Sequence, residues 1–162
     1  MPAPLARAWK PALIAAIVVV YVSAVGLIEQ FAEVYAIGTQ VSLARVMLLL
    51  PVFLAGWVAT RPRVERGERK VLAMPQAALC GAVTGLVGGA LVGAVLLAVD
   101  AIDPDTIGEV LIAVSTKLLG IVSFDQSLGT GIVLWLVLGA AVGALGGVVR
   151  ALSPGARRVV LA

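Results

Sequence analysis

The chain of 162 residues contains no histidine and a single cysteine, Cys80. A disulfide within one chain needs two cysteines, and a catalytic triad or a Cys–His pair needs a histidine. The sequence also contains no phosphate-binding glycine loop and no metal-ligand spacing. We therefore expect no catalytic residue, no metal and no cofactor. Cys80 lies within an apolar run, where we expect a small buried residue.

The chain also contains few charged residues, and this composition excludes an ordinary soluble domain. Charged residues make up 13% of the chain and hydrophobic residues 61%, and the mean hydropathy is +1.10. The net charge of +3 does not indicate a nucleic-acid partner, because the bases lie at the ends of apolar runs and are not interleaved with aromatic residues. The composition predicts an integral membrane protein whose main partner is the lipid bilayer.

A basic segment between two apolar stretches orients the predicted topology. Arg61 to Lys70 reads RPRVERGERK and contains five bases: Arg61, Arg63, Arg66, Arg69 and Lys70. Short loops rich in Lys and Arg remain on the cytoplasmic side of a membrane. We therefore predict that this segment is cytoplasmic and that these five bases determine the topology.

The apolar runs predict one all-α membrane domain, residues 1–162, with four transmembrane helices and both termini cytoplasmic. The predicted spans are about 11–28, 41–60, 75–99 and 130–149. An alternative for the first run is a signal peptide cleaved after Ala24, because Val22-Ser23-Ala24 resembles a cleavage site. Between the third and fourth spans, residues from about 110 to 122 predict an outer helix that is interfacial or re-entrant.

Two bases and one proline interrupt apolar sequence. Arg45, near the outer end of the second span, and Lys117, in the outer helix, are the candidate substrate-proximal residues. The alternative for Arg45 is that it extends toward the interface or pairs with Glu29 or Glu33. Pro51 predicts a kink in the second span, as a static bend or as a hinge.

Glycines recur every fourth residue in two of the spans. They are Gly81, Gly85, Gly89 and Gly93 in the third span and Gly139, Gly143 and Gly147 in the fourth. This spacing aligns them along one helix face, and small residues allow close helix packing in lipid. We predict that the two spans pack through these glycines, within a bundle or an oligomer, and that Val92 faces lipid.

The C-terminal third resembles a known transporter class. Ser115–Gly120 (STKLLG), Leu128–Val133 (LGTGIV), the glycine-rich fourth span and Arg157-Arg158 are similar to the amino-terminal membrane region of bacterial ABC permeases of the branched-chain amino acid type. The resemblance covers about residues 110–162. It implies a permease subunit or fragment of an importer for amino acids or similar small solutes, in the bacterial inner membrane. The implied partners are a cytoplasmic ATPase, a further permease subunit and a solute-binding protein.

The chain departs from that class in two respects. Such permeases have more than four spans, and Arg61 to Lys70 contains no recognisable ATPase-coupling segment. No functional residue carries over from the resemblance. The alternative function is a small structural or accessory membrane protein that assembles through glycine-zipper packing.

Overall fold

The computed structural model describes residues 3–24, 31, 34–37, 41–61, 63–65, 68–70, 72–101, 121–124 and 126–153. This part of the chain contains four helices: α1 (Ala3–Ala24), α2 (Leu43–Ala59), α3 (Met74–Ala101) and α4 (Leu128–Leu152). The prediction of a helical protein is confirmed for these residues. The predicted outer helix, at about 110–122, lies outside the described residues except for its last two positions.

Helices α2, α3 and α4 begin and end within about three residues of the predicted spans, whereas α1 does not. Helix α1 begins at Ala3 and passes through Pro11, where we expected the span to start. Pro4 lies in the first turn, where proline is tolerated, so the head of the chain continues the helix. Helix α2 begins after the cap residue Ser42, whose hydroxyl accepts a hydrogen bond from the Arg45 amide, and continues through Pro51 to Ala59.

Two short antiparallel hairpins occupy connections that we expected to be loops. Strands β1 (Tyr35–Ile37) and β2 (Val41–Ser42) precede α2, and strands β3 (Arg63–Glu65) and β4 (Glu68–Lys70) follow it. In the second hairpin Arg63 pairs with Lys70 and Glu65 with Glu68. The basic segment is therefore partly β-structure, a feature that its charge pattern did not predict.

The helices pack as a bundle in which α1 and α4 lie apart. Helix α3 makes its largest contact with α4, and both α2 and α3 contact all the other helices. At one end of the bundle, the Arg150 end, the C-terminal parts of α2 and α4 meet the start of α3. The Arg150 guanidinium lies 5.4 Å from the Trp57 ring centroid there, and the Cys80 Sγ lies 3.8 Å from the Ala59 carbonyl oxygen. The opposite end, the Arg45 end, brings Arg45 near residues 121–124.

Large apolar side chains lie on the surface of the bundle as well as in its core, and small residues fill much of the contact between the helices. Helix α2 buries Ala44, Ala55, Gly56 and Ala59, and α4 buries five glycines and Trp135. Every helix exposes large apolar side chains, including Ile14, Leu50, Leu86 and Val137. Water would disfavour such a surface, whereas lipid would not.

Two helices are long and apolar enough to cross a membrane, Met74–Ala98 and Leu128–Leu152, each of 25 residues. The apolar segments Ala8–Ser23 and Leu43–Ala59 are shorter. At about 1.5 Å per residue, the first two match a hydrocarbon layer of about 30 Å. They are therefore the candidate membrane spans among the described residues.

Candidate functional site

The contact between α3 and α4 is a ladder of glycines, which we call the glycine seam: Gly81, Gly85, Gly89, Gly139, Gly143 and Gly147. A methyl group added to Gly85 would collide with the Gly139 carbonyl and lie 3.2 Å from the Gly143 Cα. A methyl group on Gly81 would collide with the Gly143 carbonyl, and one on Gly147 with the Ala77 carbonyl. The two helices run antiparallel, so each step of four residues along α3 meets a step of four along α4. Only glycine permits this backbone contact.

Helix α2 joins the glycine seam at Gly143. A Cβ atom on Gly56 would collide with the Gly143 carbonyl, so this one peptide group contacts both α2 and α3. Next to it, a Cβ atom on Gly146 would meet the Phe53 carbonyl and lie 3.0 Å from the Trp57 amide nitrogen. The sequence reasoning missed the role of Gly56. Its signal was the pair of small residues four apart, Gly56 and Thr60, beside Ala55 and Ala59.

Not every glycine in these helices is tightly packed. Gly93, which we grouped with the packing glycines, lies at the edge of the contact, where an added methyl group would approach the flexible Ile132 side chain at 3.1 Å. At Gly88 the nearest atom would be the Ala12 carbonyl oxygen at 3.8 Å, and at Gly129 nothing lies within 4 Å. Val92 is 3% exposed and belongs to the core, so the expectation that it faces lipid was wrong. The core residues of α1, α2 and α4 that surround it explain the difference.

The buried hydroxyl groups of the bundle are occupied within their own helices. Thr84 is fully buried and donates to the Cys80 carbonyl at 2.7 Å, and Thr60 donates to the Gly56 carbonyl at 3.1 Å. Ser42 caps α2. These groups are therefore not directed into a shared polar channel among the described helices. In the same part of the chain, no three His, Cys, Asp or Glu residues come together as a metal site.

The Arg45 end places a cation over the first ring of an aromatic pair. The Arg45 guanidinium lies 5.9 Å from the Phe124 ring centroid, and the Phe124 and Trp135 rings are 5.7 Å apart. The fully buried Trp135 donates its indole N–H to the Val122 carbonyl at 2.8 Å. Phe124 has a φ of 60°, which is unusual for a large side chain and positions its ring between Arg45 and Trp135. This cluster joins α2, α4 and residues 121–124.

The start of α4 holds this turn in place. Ser127 caps α4, and its hydroxyl accepts a hydrogen bond from the Thr130 amide at 3.5 Å. A methyl group on Gly131 would lie 3.0 Å from the Ser123 Cα, so the turn rests directly on the helix.

The other predicted positions are distributed as follows. Arg45 lies at one end of the bundle, half-buried. Arg61 is exposed after α2, Arg63, Arg69 and Lys70 lie in β3 and β4, and Lys117, Arg66, Glu29 and Glu33 lie outside the described residues.

A second surface lies between α1 and α2. It is an open groove of about 410 Å³ that apolar residues alone line, and we call it the α1–α2 groove. Its walls include Ile14 and Val18 on α1 and Leu50 and Leu54 on α2. Its prolines are Pro11 and Pro51. No charged side chain lines it.

Comparison with protein-family models, with curated proteins and with solved structures finds no match to this chain.

Proposed function

We propose that this chain is a non-enzymatic subunit of a larger assembly in the bacterial inner membrane. In this proposal it crosses the membrane four times, with both termini cytoplasmic. One observation supports the membrane location above the others: every described helix exposes large apolar side chains, while alanines and glycines fill much of the contact between the helices. Helices with such surfaces are stable in lipid and would aggregate in water.

The positions of the bases support the proposed orientation. Arg61 follows α2, and strands β3 and β4 carry three further bases. Arg150 lies in the last turn of α4, beside Trp57 near the end of α2, so these bases belong to one end of the bundle. Basic residues at one end favour the cytoplasmic side. Arg45, at the other end, would then lie at the outer face.

Within such an assembly, an accessory or structural role fits the described interior best. The glycine seam fills the space between α2, α3 and α4 with backbone, and the buried hydroxyls bond locally. A solute path through this bundle would need to separate helices whose backbones are in contact. The chain would therefore stabilise or position a partner.

The second candidate is a permease subunit of an ABC importer for amino acids or similar small solutes. The Arg45 end favours it, because a half-buried guanidinium beside Phe124 could bind a carboxylate at the outer face. The remaining pore and the ATPase would come from partner chains. Uptake by this chain alone would contradict this form of the proposal.

Cysteine labelling tests the topology. In a Cys80→Ala background, we expect Glu33→Cys and Asp103→Cys to react with an impermeant thiol reagent in intact cells and Arg66→Cys to remain unlabelled. Cys80 is buried, so the background change removes reactivity at a small packing cost. Labelling at position 66 but not at 33 or 103 would invert the proposed orientation.

Purification and uptake separate the two functions. We expect the affinity-purified chain to retain partner membrane proteins in mild detergent and to show no amino acid uptake alone in liposomes. Copurification of a permease subunit with ATP-dependent amino acid uptake, abolished by Arg45→Ala, would favour the translocation role. Retention of a membrane partner without an ATPase or uptake would favour the accessory role.

A further inference from the structure

The α1–α2 groove has the length of one membrane leaflet. Its α1 wall extends from Pro11 to Val22 and its α2 wall from Met47 to Val58. At about 1.5 Å per residue, each wall is about 16 Å long. This is roughly half of a hydrocarbon layer of about 30 Å, which is the depth that one lipid acyl chain occupies.

The walls of the groove suit a flexible chain better than another helix. Ile14 and Leu50 are more than half exposed, at 62% and 52%, and they project beside the groove as branched side chains. The small residues Ala15 and Ala55 are buried at its base. Close helix packing in lipid uses small residues at the contact surface, as in the glycine seam. An acyl chain can follow the space between branched side chains, whereas a helix backbone cannot approach it closely.

One end of the groove carries a base on each wall. Lys10 directly precedes Pro11 on α1, and the Arg61 amide donates a hydrogen bond to the carbonyl of Val58, the last lining residue on α2. Both basic side chains are exposed. Trp9, next to Lys10, is 53% exposed, as is typical of an aromatic residue at the membrane interface. Basic residues between helices on the cytoplasmic side bind anionic lipid headgroups.

We propose that the α1–α2 groove binds one acyl chain of an anionic phospholipid whose phosphate lies between Lys10 and Arg61. The inference rests on the proposed membrane location and orientation. The apolar groove accommodates the chain, and the two bases select the anionic headgroup. The bound lipid would fill the open side of α1 and α2 and complete the helix bundle in the inner leaflet.

Native mass spectrometry of the full chain tests this site. The purified protein is titrated with dioleoylphosphatidylglycerol and, separately, with dioleoylphosphatidylcholine. We expect one tightly bound phosphatidylglycerol per chain and weaker binding of phosphatidylcholine. Each base near a membrane surface contributes about 1 kcal/mol, so Lys10→Ala with Arg61→Ala should weaken phosphatidylglycerol binding about 30-fold.

Two matched controls separate the groove from general charge and surface effects. Arg63→Ala with Lys70→Ala removes the same charge from the hairpin after Arg61, and it should change binding only about twofold. Leu54→Trp should block the groove, whereas Leu86→Trp, at a residue of nearly equal exposure (48% against 49%) on α3, should not. Helical content by circular dichroism checks that each variant is folded. If the Lys10→Ala, Arg61→Ala double variant unfolds, Lys10→Gln replaces it. If Leu54→Trp unfolds, Val18→Phe replaces it.

Four outcomes would overturn the assignment. Equal binding of the two lipids, or equal losses in the two charge variants, would exclude a selective headgroup site. If the chain forms a dimer that Leu54→Trp dissociates, a second copy occupies the groove. If instead the purified chain retains another protein that Leu54→Trp releases, a helix of that partner occupies the groove. Release of the wild-type chain from membranes by alkaline carbonate would instead contradict the proposed function itself.

Discussion

The α3–α4 pair and the α1–α2 pair use opposite surfaces to make a helix contact. Glycines bring the backbones of α3 and α4 together, so that a single methyl group on Gly85 would collide with the Gly139 carbonyl. Between α1 and α2, branched side chains keep an open groove of about 410 Å³. Both surfaces are apolar. Hydrophobicity therefore does not distinguish a closed contact from an open one in this protein, and side-chain size does.

This difference predicts where the molecule is sensitive to change. In lipid, apolar surface gains little by leaving one apolar environment for another, so contact between helices depends on fit. A larger side chain should lower the free energy of unfolding in the glycine seam and leave it nearly unchanged beside the groove. A smaller side chain in the wall of the groove should also change the free energy of unfolding little, because the walls are already partly exposed.

The largest expected effect compares two neighbouring positions on α3. Gly89→Leu places a side chain against the Trp135 carbonyl, and the helices must separate to fit it. Ala90→Leu adds a similar side chain to an exposed position. We expect Gly89→Leu to lower the unfolding free energy by about 3 kcal/mol or more and Ala90→Leu to change it by less than about 0.5 kcal/mol. Denaturant titration in mixed micelles measures both values, and equal losses would show that the glycine spacing is incidental.

The next prediction compares alanine substitutions at two glycines of α3, which should change the free energy of unfolding in opposite directions. Alanine at position 85 collides with backbone, whereas alanine at position 88 has the Ala12 carbonyl oxygen 3.8 Å away. Replacing glycine in a helix by alanine gains up to about 1 kcal/mol in helix propensity. We expect Gly85→Ala to destabilise the protein by about 1 to 2 kcal/mol net and Gly88→Ala to stabilise it slightly. Destabilisation by both would indicate that α1 also packs through close backbone contact.

Part of this architecture could be predicted from the sequence because its signals are periodic or compositional. Long apolar runs predicted the helices, and the four-residue glycine spacing identified the face of α3 that meets α4. Gly56 was missed because it is a single glycine in a helix of larger residues. Val92 was assigned to lipid because periodicity alone does not say which neighbouring helices cover a residue on a uniformly apolar helix.

Other features depended on contacts between distant segments. Arg45 was a candidate in the sequence, but no pattern there connected it with Phe124, and only the fold brings the two side chains together. The hairpins β1–β2 and β3–β4 are short, and strands of two or three residues carry too few positions to show an alternating pattern. The α1–α2 groove could not be predicted from the sequence either, because it is the space that two helices leave open between them.

The third prediction concerns the Arg45 end, where aromatic rings and a buried indole hydrogen bond join the elements. Trp135 is fully buried and donates its indole N–H to Val122, so Trp135→Phe keeps the ring stacking but leaves the carbonyl without this donor. We expect a loss of about 1 to 2 kcal/mol in the free energy of unfolding. Phe53→Leu, at a half-buried ring near the opposite end, is the control, with an expected loss below about 1.5 kcal/mol. A neutral Trp135→Phe would mean that the turn at residues 121–124 is held by other contacts.

The smallest effect is expected in the α1–α2 groove. Leu50→Ala and Leu54→Ala remove side chains that are about half exposed, so each leaves a wider groove and no closed cavity. In detergent without added phospholipid, each should change the unfolding free energy by less than about 0.5 kcal/mol, because detergent fills the added space. Leu48→Ala is the matched control on the same helix, and its fully packed side chain, 1% exposed, predicts a loss of about 2 to 5 kcal/mol. Losses of similar size at positions 48, 50 and 54 would show that α1 and α2 close against each other in solution, and the contrast between the two helix pairs would then disappear.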